Sequence, residues 1–197
     1  MLKVALTGGI ATGKSYVLGR FSRRGVPCLD ADALAHGVTA AGTEATHAIS
    51  ARFGAGVIAA DGSVDRRKLG PIVFADADAR HDLEAIVHPA VRRAIAAGLR
   101  AFELVGDWRL AVVDVPLLFE TGREKDFDRV IVTTCPVELQ KQRMLERGLS
   151  DDEARLRLAA QLPLADKVSR ADYVIHTDRT FEETDRQVDE VLEKLNL

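Results

Sequence analysis

The run from Leu6 to Tyr16, LTGGIATGKSY, limits the fold of this 197-residue chain more than any other stretch. Gly8, Gly13, Lys14 and Ser15 satisfy the spacing G-x-x-x-x-G-K-[ST]. An apolar, β-branched segment, Val4 to Thr7, precedes it, and a helical stripe of Val17, Leu18 and Phe21 follows, closed by Gly25 and Pro27. A second apolar run, Val26 to Leu29, comes next, so strand, glycine loop, helix and strand fall within about 30 residues, the length of a βαβ unit. Such a unit commits the chain to a parallel sheet. In the loop, glycines let consecutive N–H groups turn toward phosphate oxygens, and the helix start adds its positive end. Gly9, Ala11, Thr12, Gly13, Lys14, Ser15 and Tyr16 are therefore expected to bind a nucleotide triphosphate. The Lys14 ammonium is expected to reach its β and γ phosphates, and the Ser15 hydroxyl to ligate Mg²⁺.

Further apolar runs at Leu110 to Val115, Val130 to Thr134 and Tyr173 to His176 lack clean alternation, as strands covered on both faces do. With the first two they make a five-stranded parallel sheet in an α/β fold. From about 37 to 107 the pattern is helical with no strand between. Thr43 and Asp65 are placed to cap helices, and Asp76 to Val87 and Pro89 to Leu104 read as two separate helices. The charged region 136–170 reads as two helices around Gly148 and Ser150, and Phe181 to Leu195 as a terminal amphipathic helix. The organisation expected is one domain, with a core at about 1–36 and 108–197, a helical insertion at about 37–107 and a lid at about 136–170.

Composition excludes several functions. A formal charge of −3 argues against broad binding to nucleic acid or to an anionic membrane, and no stretch is long enough to span a bilayer. The two cysteines, Cys28 and Cys135, lie in or beside strand-like runs and read as buried free thiols, which fits a cytoplasmic protein. The first residues lack the pattern of a cleaved leader. Guanine reading through N-K-x-D is closed, because the only asparagine is the penultimate residue, Asn196. No D-x-x-G switch follows the third strand, so adenine is the expected base. Oligomeric state is not encoded in any pattern here.

The acceptor side starts at the end of the second strand, Leu29-Asp30-Ala31-Asp32. Ligands of open parallel sheets sit beyond the carboxyl ends of the strands, and the first two strands are expected to end close together, with both carboxylates facing the phosphate site. Asp32 is the expected base that aligns an acceptor hydroxyl, and Asp30 a metal ligand or helix cap. Asp114, in AVVDVP, is a candidate Walker-B-type carboxylate for Mg²⁺, and Glu120 a second acid or a helix start. His88, followed by Pro89, is expected at a helix mouth near the acceptor, and Arg92 or Arg93 against its anionic groups. Among the lid arginines, Arg143 is the one expected to stabilise the transferring phosphoryl group.

The stretches TGGIATGKS and DADALAH together resemble the dephospho-coenzyme A kinase family. His88-Pro89 in IVHPAVRR, Pro116 to Glu120 (PLLFE), Gln161, Lys167 and Ala171 to Ile175 (ADYVI) resemble its later motifs, so the likeness runs from Leu6 to about Ile175. The resemblance implies a nucleoside-monophosphate-kinase-like fold with helical acceptor-binding part and mobile lid. It also implies transfer of the γ-phosphate of ATP, with Mg²⁺, to the ribose 3′-hydroxyl of dephospho-coenzyme A. Three departures stand out. The family loop often has glycine at Ala11 and a short hydroxyl at Tyr16, where the backbone N–H is expected to remain available. His176-Thr177-Asp178 replaces a usual asparagine, so adenine contacts are not carried over. Two other readings stay open: a P-loop kinase of another small alcohol or nucleotide, and an ATP-binding switch that transfers nothing. Asp32 separates the second, because a switch has no need of a carboxylate on the acceptor side.

Overall fold

The computed structural model describes residues 1–195; Asn196 and the last residue lie outside them. The strands are β1 (Leu2–Gly8), β2 (Cys28–Asp30), β3 (Leu110–Asp114), β4 (Arg129–Thr134) and β5 (Tyr173–His176). The helices are α1 (Lys14–Arg23), α2 (Ala31–Val38), α3 (Glu44–Phe53), α4 (Arg66–Ala75), α5 (Ala77–Val105), α6 (Val137–Glu146), α7 (Asp151–Ala159), α8 (Leu164–Ser169) and α9 (Phe181–Lys194). All strand pairings are parallel, in the order β2-β3-β1-β4-β5.

The first two strands, expected to end close together, end two strand positions apart, because β3 lies between them. The reason is burial. β3 is buried at all five of its residues and needs a strand on each side, whereas β2 has three residues, none fully buried, and suits an edge. In register, Leu6 of β1 stands opposite Asp114 of β3, and Asp114 opposite Asp30 of β2. Asp114 therefore sits beside the strand that leads into the phosphate loop, and Asp30 one strand farther out.

By contacts the chain forms two compact units, Met1–Asp30 with Phe102–Leu197, and Ala31–Ala101. The sheet unit buries Val4, Leu6 and Ile131 against Val17 and Phe21 of α1 and Val188 of α9. Ser150 and Thr180 open α7 and α9 with full capping boxes to Glu153 and Glu183. Region 136–170 contains three helices, where the sequence suggested two. Pro163, at φ −51°, immediately precedes α8 and has no N–H with which to continue α7.

The helical unit closes around Ile49, Val57, Val64 and Leu69. Thr43 Oγ1 accepts from Thr46 N at 3.2 Å to start α3, and the Asp65 carboxylate accepts from Arg67 N and Lys68 N to start α4. The expected break at His88-Pro89 is absent: α5 is one helix of 29 residues with Pro89 inside it. Proline removes one ladder hydrogen bond at a cost of about 3 kcal/mol. The apolar stripe of Ala79, Ala90, Val91, Ile95 and Leu99, buried on both sides of the proline, offsets that cost. His88 accordingly has helical geometry and does not stand at a helix mouth. Among the described residues no helix is long and apolar enough to cross a membrane.

Candidate active site

The phosphate loop joins β1 to α1. Two of its glycines are required sterically. A Cβ on Gly8 would stand 2.3 Å from Thr133 Oγ1, and Gly13 has φ 82° in the left-handed region at the cap of α1. The backbone N–H groups of Gly13, Lys14 and Ser15 have no acceptor among the described residues. They are the free donors of a helix start, where an anion is favoured. Ser15 is exposed on the first turn.

Lys14 Nζ lies 3.1 Å from Asp114 Oδ1 and 3.3 Å from Oδ2. The two side chains are 16% and 6% exposed, so the ammonium is held at the end of β3 in a neutralised, mostly desolvated pair. Two expected site residues, from strands and helix far apart in sequence, thus meet. A resident metal cage is absent: no group of three or more His, Cys, Asp or Glu among the described residues could hold an ion. The Ser15 hydroxyl and the Asp114 carboxylate are oxygen donors suited to Mg²⁺ that arrives with phosphates and keeps most of its water.

The far side of the loop is occupied by side chains. Lys167 Nζ donates to Gly8 O at 3.2 Å, Thr12 Oγ1 to Gly9 O at 2.8 Å, Arg143 Nη1 to Ala11 O at 3.1 Å and Thr177 Oγ1 to Thr12 O at 2.8 Å. Gln161 Oε1 accepts from Ile10 N at 2.9 Å. Arg143 also donates through Nη2 to Thr177 O at 2.6 Å. Its guanidinium is therefore engaged with loop and β5-end carbonyls, whereas sequence reasoning placed it over the transferring phosphate. Glu120, read as an acid or a helix start, pairs with Lys167 at 2.6 Å and accepts from Leu162 N at 3.1 Å. The bracing roles of Lys167, Gln161 and Thr177 were missed. Only motif membership marked the first two, and spacing gives no sign that a lysine 159 residues after Gly8 meets its carbonyl.

Two loop residues differ from expectation. Ala11 has φ 58°, the only non-glycine residue with positive φ among those described, which is the condition under which alanine is strained there. Tyr16 N–H is used by Gly13 O at 3.1 Å, so it is not left for phosphate. The Tyr16 side chain turns to α9, with its hydroxyl 2.8 Å from Asp185 Oδ1 and its ring 4.7 Å from that of Phe181. Burial, then the hydrogen bond to Asp185, raises the phenol pKa.

Asp32, His88 and Arg92 belong to the helical unit. Asp32 is exposed in the first turn of α2. His88 and Arg92, both exposed, are four residues apart on one face of α5. Arg93 pairs with Glu44 at 3.0 Å, which leaves Arg92 as the member of that couple with no partner among the described residues. A cavity of about 290 Å³ opens inside this unit, with Ile49, Val64, Leu69, Val73 and Val87 as its apolar wall and Arg66, Glu84 and His88 at its polar edge. Arg66 Nη2 is fixed on Ala35 O at 3.1 Å and Thr39 Oγ1 at 3.2 Å. No spacing in the sequence marks this cavity, since the same apolar pattern describes a filled core.

Comparison with known proteins bears on the chemistry this arrangement serves. Residues 2–183 match the sequence profile of the family described as CoaE, dephospho-CoA kinase. A dephospho-CoA kinase of Geobacillus kaustophilus is 44% identical over 194 residues, covering 98% of this chain and 96% of the relative. One of Anaeromyxobacter dehalogenans is 47% identical over 176 residues, covering 89% and 83%. The crystal structure of TT1252 from Thermus thermophilus superposes with a TM-score of 0.79 at 32% identity, covering 98% and 97%. The loop, the Lys14–Asp114 pair and the helical unit all lie within residues 2–183 that the family model matches, and the chain belongs to the dephospho-CoA kinase family.

Proposed function

We propose that this protein transfers the γ-phosphate of ATP to the ribose 3′-hydroxyl of dephospho-coenzyme A, giving coenzyme A and ADP. The observation that carries the reading is the Lys14–Asp114 pair at the mouth of a phosphate loop, in a chain that matches this family along its length. The free N–H groups of Gly13, Lys14 and Ser15 hold the polyphosphate, and Lys14 exchanges Asp114 for the β and γ oxygens. Ser15 Oγ and the Asp114 carboxylate would hold a Mg²⁺ ion that arrives with the nucleotide, and that ion would supply charge neutralisation to the phosphates. Asp32 accepts a hydrogen bond from the 3′-hydroxyl and aligns it. As the new O–P bond forms, the bond from Pγ to the β-bridging oxygen breaks, ADP leaves with that electron pair, and the hydroxyl proton passes to Asp32.

The helical unit is the acceptor side in this reading. Arg92, with its unengaged guanidinium, suits the pyrophosphate of dephospho-coenzyme A, and His88 stands one turn before it beside the cavity. The cavity, apolar with a few polar groups at its edge, suits the pantetheine arm. The reaction is expected in the cytoplasm, where the half-buried Cys28 and the buried Cys135 remain reduced.

The direct test is whether ATP consumption depends on added dephospho-coenzyme A, with coenzyme A identified by mass. Faster turnover of a nucleoside monophosphate or another small alcohol in a panel of acceptors would replace this substrate.

A further inference from the structure

The phosphate loop is gripped from behind. In a trans peptide the C=O and the following N–H point in opposite directions, and the described residues contain no cis bond. A donor that fixes a carbonyl on one side of the loop therefore fixes the next amide on the other. Lys167 on Gly8 O sets Gly9 N–H, and Thr177 on Thr12 O sets Gly13 N–H; Arg143 on Ala11 O sets Thr12 N–H, which turns inward to Gly9 O at 3.4 Å and closes the loop on itself. The three donors come from α8, from α6 and from the residue after β5.

We propose that Lys167 and Thr177 are positioning residues that aim the Gly9 and Gly13 amides at the phosphates, with Lys167 as the principal one, and that Arg143 holds the turn between them. Lys167 is fully buried, and its partner Glu120 cancels its charge at 2.6 Å, so the lysine does not act by attracting phosphate from a distance. A buried ion pair is a poor source of stability, because well-packed apolar residues of similar volume commonly do as well or better. What an apolar residue cannot do is donate to Gly8 O. Glu120 adds a second tie by accepting from Leu162 N, and Gln161 a third by accepting from Ile10 N. α8, through Lys167, and the segment leading into it, through Gln161, thus hold the loop by a carbonyl and by an amide at once.

The test uses the double variant Lys167→Met with Glu120→Leu, which removes the pair without leaving a buried orphan charge. The expected result is an unchanged or raised melting temperature together with ADP binding weakened by about tenfold or more, the scale of a lost charge-assisted hydrogen bond. Adenosine, which has no phosphate, is expected to bind the variant as it binds the unaltered protein. Thr177→Val, nearly isosteric, keeps the test open if the double variant fails to fold, with a smaller loss for ADP and none for adenosine. Unchanged ADP affinity in a folded variant, or equal losses for ADP and adenosine, overturns the proposal. The inference rests on the loop being a nucleotide grip. ADP binding by the unaltered protein checks that separately, and neither measurement involves the acceptor.

Discussion

In the proposed function the phosphate loop and the helical unit recognise their ligands by opposite means. In the loop the groups offered to the ligand are main-chain amides plus one ammonium, and the side chains work from behind on the carbonyls of Gly8, Gly9, Ala11 and Thr12. In the helical unit the backbone is consumed by helices, and the groups the proposal assigns to the acceptor are the side chains of Asp32, His88 and Arg92, of which His88 stands at the edge of an apolar cavity. Main-chain recognition demands a backbone held in one shape, and it tolerates few changes of residue. Side-chain recognition leaves the scaffold free and places specificity in a handful of replaceable groups. Substitutions on the two sides are therefore expected to separate nucleotide parameters from acceptor parameters, and the variants below test that separation.

The largest effect is expected on the loop side. Lys14→Ala removes the ammonium that the proposed mechanism moves onto the γ-phosphate, and kcat/KM is expected to fall by about 10³-fold, the scale of losing a principal electrostatic stabiliser. Dephospho-coenzyme A binding, measured calorimetrically without ATP, is expected to be unaffected. A matching loss of acceptor affinity would end the separation. Asp32→Asn comes next, on the other side. It keeps shape and hydrogen bonding but not basicity, so kcat is expected to drop by about 10²-fold while ADP affinity holds. Unchanged turnover would remove Asp32 as the aligning base.

The two sides also differed in how far the sequence alone could be read. The loop was legible because its chemistry is local: G-x-x-x-x-G-K-S fixes backbone shape over eight residues, and a strand and a helix flank it. The five strands were legible as unbroken apolar runs, but their order was not, because lateral position depends on which strand can be covered on both edges. β3, wholly buried, took the place beside β1 that the order of the chain would give to β2. His88 was misjudged because proline chemistry is a local rule. The buried stripe on both sides of Pro89 is a larger, non-local contribution. Arg143 and Lys167 carry charges whose partners, Ala11 O and Gly8 O, lie more than a hundred residues away, and no spacing rule reaches that far.

A third variant sharpens the acceptor side. Val73→Trp puts a large side chain into the wall of the cavity, and the KM for dephospho-coenzyme A is expected to rise about tenfold, as a displaced apolar contact would give, with the KM for ATP constant. A circular-dichroism melt guards against overpacking, which costs about 1–3 kcal/mol. If KM for both substrates rises, the cavity is not specific to the acceptor.

The thiols belong to the sheet unit and test its rigidity. Burial pushes the Cys28 thiol up to about 12 and raises that of Cys135. Neither is expected to react with a thiol reagent in the native protein at pH 8, and both are expected to react in urea. The folded pKa of Cys28 exceeds its unfolded value, so this contribution to stability is complete below about pH 9 and is lost as pH rises toward 12. Denaturant midpoints across pH 8–11 are expected to fall accordingly. Rapid labelling of native Cys28 would mean that α1 and β2 open readily.

The smallest effect is expected at Ala11, where two opposed contributions meet. At φ 58° an alanine is strained by about 1–2 kcal/mol relative to glycine. Its methyl group, however, is buried against Met144 and Ala154, which returns about 0.8 kcal/mol. Glycine would also cost about 0.4–1 kcal/mol through the freer unfolded chain. Ala11→Gly is therefore expected to change stability by less than about 1 kcal/mol, a shift of a few degrees at most in a chain of this length. Ala11→Val has no such balance, since a β-branched side chain at positive φ adds strain without a place for its second methyl, and it is expected to cost more than about 2 kcal/mol. A stability gain well above 1 kcal/mol in Ala11→Gly would show that the methyl packing does little. The loop would then carry strain that its bracing side chains must hold against, and nucleotide affinity should change along with stability.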